Sequence, residues 1–118
     1  MYKAYRDRVE FLLVYIREAH PDSILTTIQD GKEVLTKIEQ TTTLEKRAGV
    51  AQQCTAVLHL TMPTVVDNED NCVNAAYAGW PDRLYIVGKD GTIAYKGGPG
   101  PQGFAVGDIE RWLKDNVK

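Results

Sequence analysis

The chain has 118 residues, 43% of them hydrophobic and 25% charged, which fits one globular domain with an adequate core. A net charge of -2 gives no electrostatic reason to expect nucleic acid or an anionic membrane as a partner, so a small molecule or a protein is expected instead. No apolar run approaches the roughly 20 residues needed to cross a bilayer, and Met1-Tyr2-Lys3-Ala4-Tyr5-Arg6 opens no signal peptide, so the expectation is a cytoplasmic product.

Residues Met1 to about Arg8 read as the last turns of a helix, charged on one side. The run Val9–Ile16 is apolar apart from Glu10 and does not alternate, the pattern of a strand buried on both faces. It delivers Glu18 and His20 to its C-terminal end, where open α/β sheets place their chemistry, and alternation puts both side chains on one side of an extended chain. An active-site role for this pair stands against a plainer one, in which His20-Pro21 ends the strand and Glu18 pairs with an arginine or caps the loop.

From Pro21 to Gln40 the pattern reads as an insertion with an amphipathic helix at Lys32–Ile38. Thr42-Thr43-Leu44-Glu45 is a capping box, Thr42 with Glu45, opening a helix over about Leu44–Leu58 whose apolar stripe is Leu44, Ala48, Ala51 and Leu58. A short strand, Thr64–Val66, follows, then a helix opened by Asp67 or Asn68 and running to about Tyr77. Pro81 precedes a strand at Arg83–Val87, and Lys89-Asp90-Gly91 joins it to a strand at Thr92–Tyr95 as an antiparallel hairpin. Gly97–Gly103 must be irregular, and Val106, Ile109, Trp112, Leu113 and Val117 give a closing amphipathic helix.

Two cysteines are too few for a disulfide scaffold, and their spacing matches neither a CxxC pair nor a zinc site. Cys54 lies on the apolar face of its helix and Cys72 shares a face with Val73, Ala76 and Tyr77, so burial is expected for both ahead of redox work. His59 has no cysteine or histidine at ligand spacing, so no metal is expected. Gly97–Gly103 lacks the Lys-Ser/Thr of a phosphate loop, and Trp80, following a helix, reads as core packing.

The stretch Phe11-Leu12-Leu13-Val14-Tyr15-Ile16-Arg17-Glu18-Ala19-His20-Pro21 resembles a Tyr-Ile-x-Glu-Ala-His-Pro signature of the iodothyronine deiodinase family. Asp82–Val87 and Gly91–Pro101 resemble that family's hairpin and glycine-rich turn, so the likeness covers most of the chain, in the form of its bacterial homologues. The resemblance implies an α/β fold of the thioredoxin-like class, in its peroxiredoxin or redoxin variant, over residues 1–118. It also implies that the first strand, with its catalytic cysteine or selenocysteine, would precede Met1.

On the same resemblance, Glu18 and His20 assist proton handling and substrate contact beside the chalcogen. Pro81 takes the place of the cis-proline beside the nucleophile, with a trans strand-starting proline as the alternative, and Trp80 beside it becomes a substrate-facing aromatic. The full-length protein is then expected to be a thiol- or selenol-dependent oxidoreductase that removes iodine from an iodinated aromatic, with an external thiol as reductant and no bound cofactor. This chain alone is expected to be inactive. A noncatalytic interaction module and a peroxide- or disulfide-reducing redoxin are the alternatives. A central strand missing between Val9–Ile16 and Arg83–Val87 implies either direct pairing of those strands or strand pairing or exchange in a homodimer.

Overall fold

The computed structural model describes residues 1–18 and 23–117, which form two compact units, 12–74 and 1–11 with 75–118. Helices and strands are mixed along the chain in an α/β arrangement, and the described ladders are three two-stranded ones.

In the 12–74 unit, β1 (Leu13–Tyr15) runs parallel to β4 (Thr64–Val66), with Val14 opposite Val65. The ladder is extended at both ends, by the Leu13 N–H to the Pro63 carbonyl at 2.9 Å and the Asp67 N–H to the Tyr15 carbonyl at 2.8 Å. The strand is shorter than the apolar run, and it is half-buried where burial on both faces is expected. Within this unit the cover comes from one helix, α2 (Leu44–Val57), which lies against β4. A hollow of about 300 Å³ between them is lined by Ala48, Ala51, Gln52, Thr55, Thr64 and Val66.

The expected helix at Lys32–Ile38 is instead strand β3, paired antiparallel with β2 (Ser23–Gln29). The reason lies in Asp30-Gly31, whose φ values of 52° and 75° form a two-residue turn between the paired Gln29 and Lys32. The β-branched Val34, Thr36 and Ile38 alternate through the second strand, a spacing that suits a pleat.

Helix α2 begins where expected, but its cap is Thr43, not Thr42: the Thr43 hydroxyl accepts the Lys46 N–H at 3.2 Å. That register sets a lysine at the third helical position, so the reciprocal bond of a capping box does not form. The expected apolar stripe is only partly covered. Ala51 is 2% exposed, Leu44 and Leu58 are exposed, and Arg47, on the same face, is 2% exposed.

Helix α3 (Cys72–Tyr77) starts five residues after Asp67, because Asp67–Asn71 forms a loop whose last residue has φ 59°. The Asp67 carboxylate still closes the helix start, accepting the N–H groups of Val73 at 3.0 Å and Asn74 at 2.9 Å.

In the other unit, α1 (Tyr2–Tyr5) is a single turn, and Tyr2 meets Phe11 edge to face at 5.3 Å. Strand β5 (Tyr85–Val87) pairs antiparallel with β6 (Ile93–Lys96), as the hairpin pattern predicts, with a bulge at Ile86/Val87. Its connection is wider than a two-residue turn. The Gly88 N–H reaches the Thr92 carbonyl at 2.8 Å, and Asp90 Oδ1 accepts the Thr92 N–H at 3.0 Å.

The glycine-rich segment folds back on Asp82, whose carbonyl accepts the Gly100 N–H at 2.9 Å. A side chain at position 100 would put its Cβ 1.4 Å from Asp82 Oδ1, so the Asp82 carboxylate would have to move aside. Helix α4 (Val106–Asn116) closes the unit by burying Ile109 and Leu113.

Candidate active site

The C-terminal end of β1 turns Glu18 into the interior of the 12–74 unit, where it is 8% exposed. Removing a carboxylate from water is costly unless donors replace the water, and here they do. The Tyr15 hydroxyl donates to Oε1 at 3.0 Å, Gln40 Nε2 to Oε2 at 3.1 Å, and the Thr41 backbone N–H to Oε2 at 3.0 Å. The Thr41 hydroxyl lies 3.0 Å from Oε1 and 2.9 Å from Oε2, sharing its hydrogen between them.

A second layer stands behind Thr41. Arg47 Nε donates to Thr41 Oγ1 at 3.0 Å and Nη2 to the Thr41 carbonyl at 3.4 Å. Its Nη1 reaches the carbonyls of Asn68 at 2.8 Å and Asp67 at 3.4 Å, and Asn71 Oδ1 at 2.9 Å. The guanidinium thus ties α2 to the loop before α3 and to the residue that holds Glu18. The neighbouring carboxylate, Asp67, is 1% exposed, and the Val73 and Asn74 N–H groups at the start of α3 donate to it.

The electrostatics follow from this packing. For Glu18, burial pushes the carboxyl up, but the Thr41 N–H and the hydroxyls of Thr41 and Tyr15 outweigh it and the carboxyl ends below its usual range. Asp67 behaves alike: burial opposes ionisation, and the N–H groups of Asn74, Val73 and Asn68 with the Arg47 charge overcome it. Tyr15 moves the other way, its phenol pushed up first by burial and then by the Glu18 charge. The site is therefore an anion ringed by proton donors. Among those donors the hydroxyls of Tyr15 and Thr41 can turn round, and the Gln40 amide can flip, to accept a hydrogen from a protonated Glu18, whereas the Thr41 backbone N–H cannot reverse.

The sequence-predicted residues fall in different places. Glu18 is at the centre of the network, and His20 lies outside the described residues. Trp80 and Pro81 belong to the other unit, on the connection between α3 and β5. The Trp80–Pro81 peptide bond is cis, the alternative implied by the family resemblance. The core packing expected of Trp80 is not found: the side chain is 42% exposed, on a connection outside helix and strand.

Cys72 is also exposed, against the expected burial, because α3 begins at it and leaves it on the rim beside Asp67, 3.8 Å from Oδ1. A hydrogen bond to Asp70 pushes its thiol up. Cys54 is half-buried, with its thiol pushed up by burial and by Glu18, against a smaller opposing pull from the Tyr15 hydroxyl.

Tyr15, Gln40, Thr41 and Arg47 carry the site and were not singled out by their sequence. One signal was present: Arg47 sits at helical spacing between Leu44 and Ala51, so an arginine occupies the stripe meant for the interior.

Residues 1–117 match the family described as iodothyronine deiodinase. The thyroxine 5-deiodinase of Sparus aurata is 39% identical over 113 residues, covering 93% of this chain and 39% of that protein. The thyroxine 5-deiodinases of Bos taurus, at 38%, and Rattus norvegicus, at 39%, also align over 93% of this chain. The chain spans 35% and 34% of their respective lengths. Among the described residues no helix is long and apolar enough to cross a membrane.

Proposed function

The chain belongs to the iodothyronine deiodinase family, and from that we propose that it forms the acid–base half of a thiol- or selenol-dependent reductive deiodinase with a thioredoxin-like fold over residues 1–118. The observation that carries this reading is the buried Glu18 carboxylate, ringed by the donors of Tyr15, Gln40 and Thr41.

In the proposed reaction a chalcogenolate takes iodine as I⁺ from the aromatic carbon, forming a chalcogen–iodine bond and leaving the carbon–iodine electron pair on the ring. A proton then fills the vacated position. Two equivalents of an external thiol reduce the chalcogen–iodine species, release iodide and become a disulfide. Glu18, with Tyr15 as its outer donor, is suited to hold and move that proton. On the family resemblance His20 shares proton handling and substrate contact with Glu18, and Trp80 and Pro81 are assigned to substrate contact.

The nucleophile is assigned to a residue outside 1–118. Only a thiolate attacks, and the environments of Cys54 and Cys72 both raise the thiol. The test is iodide release from an iodinated thyronine with a dithiol as reductant. The 118-residue chain is expected to release none above background. Fused behind a strand carrying cysteine or selenocysteine, it is expected to release iodide, and Glu18→Gln to slow that release by roughly 100-fold. Turnover by the 118 residues that vanishes in Cys54→Ser or Cys72→Ser would overturn the assignment of the nucleophile. A fused protein indifferent to Glu18→Gln would overturn the role of Glu18.

A further inference from the structure

The Thr41 side chain touches both Glu18 oxygens, and what it offers them depends on where its single hydroxyl hydrogen points. That hydrogen cannot point at another donor. Arg47 Nε–H approaches the same oxygen at 3.0 Å, and Nη2 approaches the Thr41 carbonyl at 3.4 Å, so guanidinium donors face both oxygens of this residue. The direction left with an acceptor among the described residues is the Glu18 carboxylate.

We propose that Arg47 is a positioning residue for Glu18: by donating to Thr41 Oγ1 it turns the Thr41 hydroxyl toward the carboxylate and holds it there as a donor. Three observations support this beyond the distances. The guanidinium is 2% exposed, so water does not compete for its hydrogens. Its Nη1 is engaged by the carbonyls of Asp67 and Asn68 and by Asn71 Oδ1, which fixes the plane of the fork and so the aim of Nε. Finally, Thr41 and Arg47 lie six residues apart across the start of α2, so the helix that carries the arginine also carries the chain to its target.

With Thr41 held as a donor, the groups left to accept from a protonated Glu18 are the Tyr15 hydroxyl at Oε1 and the flipped Gln40 amide at Oε2. The titratable or charged groups facing Glu18 are Tyr15 from β1, and Arg47 and Cys54 from α2, with Asp67 on the far side of Arg47. This inference rests on the reading of Glu18 as the acid–base group, but its test needs no turnover.

The experiment follows the Glu18 side-chain carboxyl carbon by NMR through a pH titration of the 118-residue chain. In Arg47→Met the carboxyl is expected to become about tenfold easier to protonate, the scale of losing one hydrogen bond to a charged group. Arg47→Lys keeps the charge but not the Nε–H, and is expected to match Arg47→Met. In a Thr41→Val background, Arg47→Met is expected to add nothing. Asn71→Ala, which removes a different contact of the same guanidinium, is expected to lower stability and leave the Glu18 titration in place.

A folded Arg47→Met or Arg47→Lys with the parent's titration would overturn the proposal, as would an undiminished effect in the Thr41→Val background, which would mean that charge acts alone. Should Arg47→Met not fold, the comparison of Arg47→Lys with Thr41→Val/Arg47→Lys decides the question. Iodide release by the fused protein is read separately, so failure of the deiodinase reading and failure of the positioning role remain distinct.

Discussion

At the scale of single residues, the interior of the 12–74 unit depends on matched donors and acceptors, and its pH response follows. Glu18 and Asp67 are both held below their ordinary range, so their contribution to stability is complete above the unfolded value near pH 4 and drains away as pH falls through the lower folded values. Denaturant midpoints measured from pH 7 downward should therefore stay level to about pH 4.5 and then drop, with a shallower drop in Glu18→Gln. Tyr15 works in the opposite sense. Its phenol is raised in the folded state, so its contribution holds below about pH 10 and is lost above it, and Tyr15→Phe should flatten that alkaline limb. Thr41→Val removes a hydroxyl with a buried donor on one side and a buried carboxylate on the other, and should cost about 1–3 kcal/mol by chemical denaturation. Of these residues Glu18 is legible in the sequence at the end of an apolar run, and Asp67 as an opener of the following helix. The partners of Glu18 are not, because hydrogen bonds such as that from Thr41 join residues 23 apart and leave no local pattern.

At the scale of elements, the segments with one dominant local signal were read correctly and those with competing signals were not. The strand at Thr64–Val66, the hairpin after residue 83, the long capped helix and the closing helix all stand close to their expected positions. The chain contains two Asp-Gly pairs, and it is Asp30-Gly31 that makes the two-residue turn, while Asp90-Gly91 sits within a wider connection in which Gly91 alone has positive φ. The β2–β3 hairpin is hidden because Asp, Gly and Thr read equally as interruptions of a helix and as a turn between β-branched strands. Gly31→Ala places a side chain at φ 75° and should cost about 1 kcal/mol in thermal unfolding, with no loss if the turn is remade. Thr43→Ala should cost a similar ~1 kcal/mol through loss of the α2 cap, whereas Thr42→Ala should be near neutral, which distinguishes the two threonines directly. On β2 and β3, Ile24 (63% exposed), Ile28 (78%) and Leu35 (63%) share one face, as the pairing of Thr26 with Leu35 requires. Replacing Ile28 by threonine should stay within about 0.5 kcal/mol, the range of exposed sites.

At the scale of the molecule, the two units are built on different interiors. The unit formed by 1–11 and 75–118 buries Ile109 and Leu113, and Leu113→Ala should cost about 2–5 kcal/mol, as a leucine that is 2% exposed and leaves a cavity behind. The 12–74 unit buries Glu18, Thr41, Arg47 and Asp67 around Ala51, and no buried side-chain polar atom among the described residues lacks a partner. Removing one member of such a set strands a charge, so Arg47→Met should cost about 3–5 kcal/mol. That contrast has a bearing on how the sequence can drift. Aliphatic packing is graded, so leucine, isoleucine and methionine can replace one another at 109 and 113 at small cost. A directional network tolerates no such gradation: each member specifies atom type, length and angle at once. In a library that randomises all six positions and sorts for folded protein, 109 and 113 should return families of side chains, and 18, 41, 47 and 67 close to a single letter each.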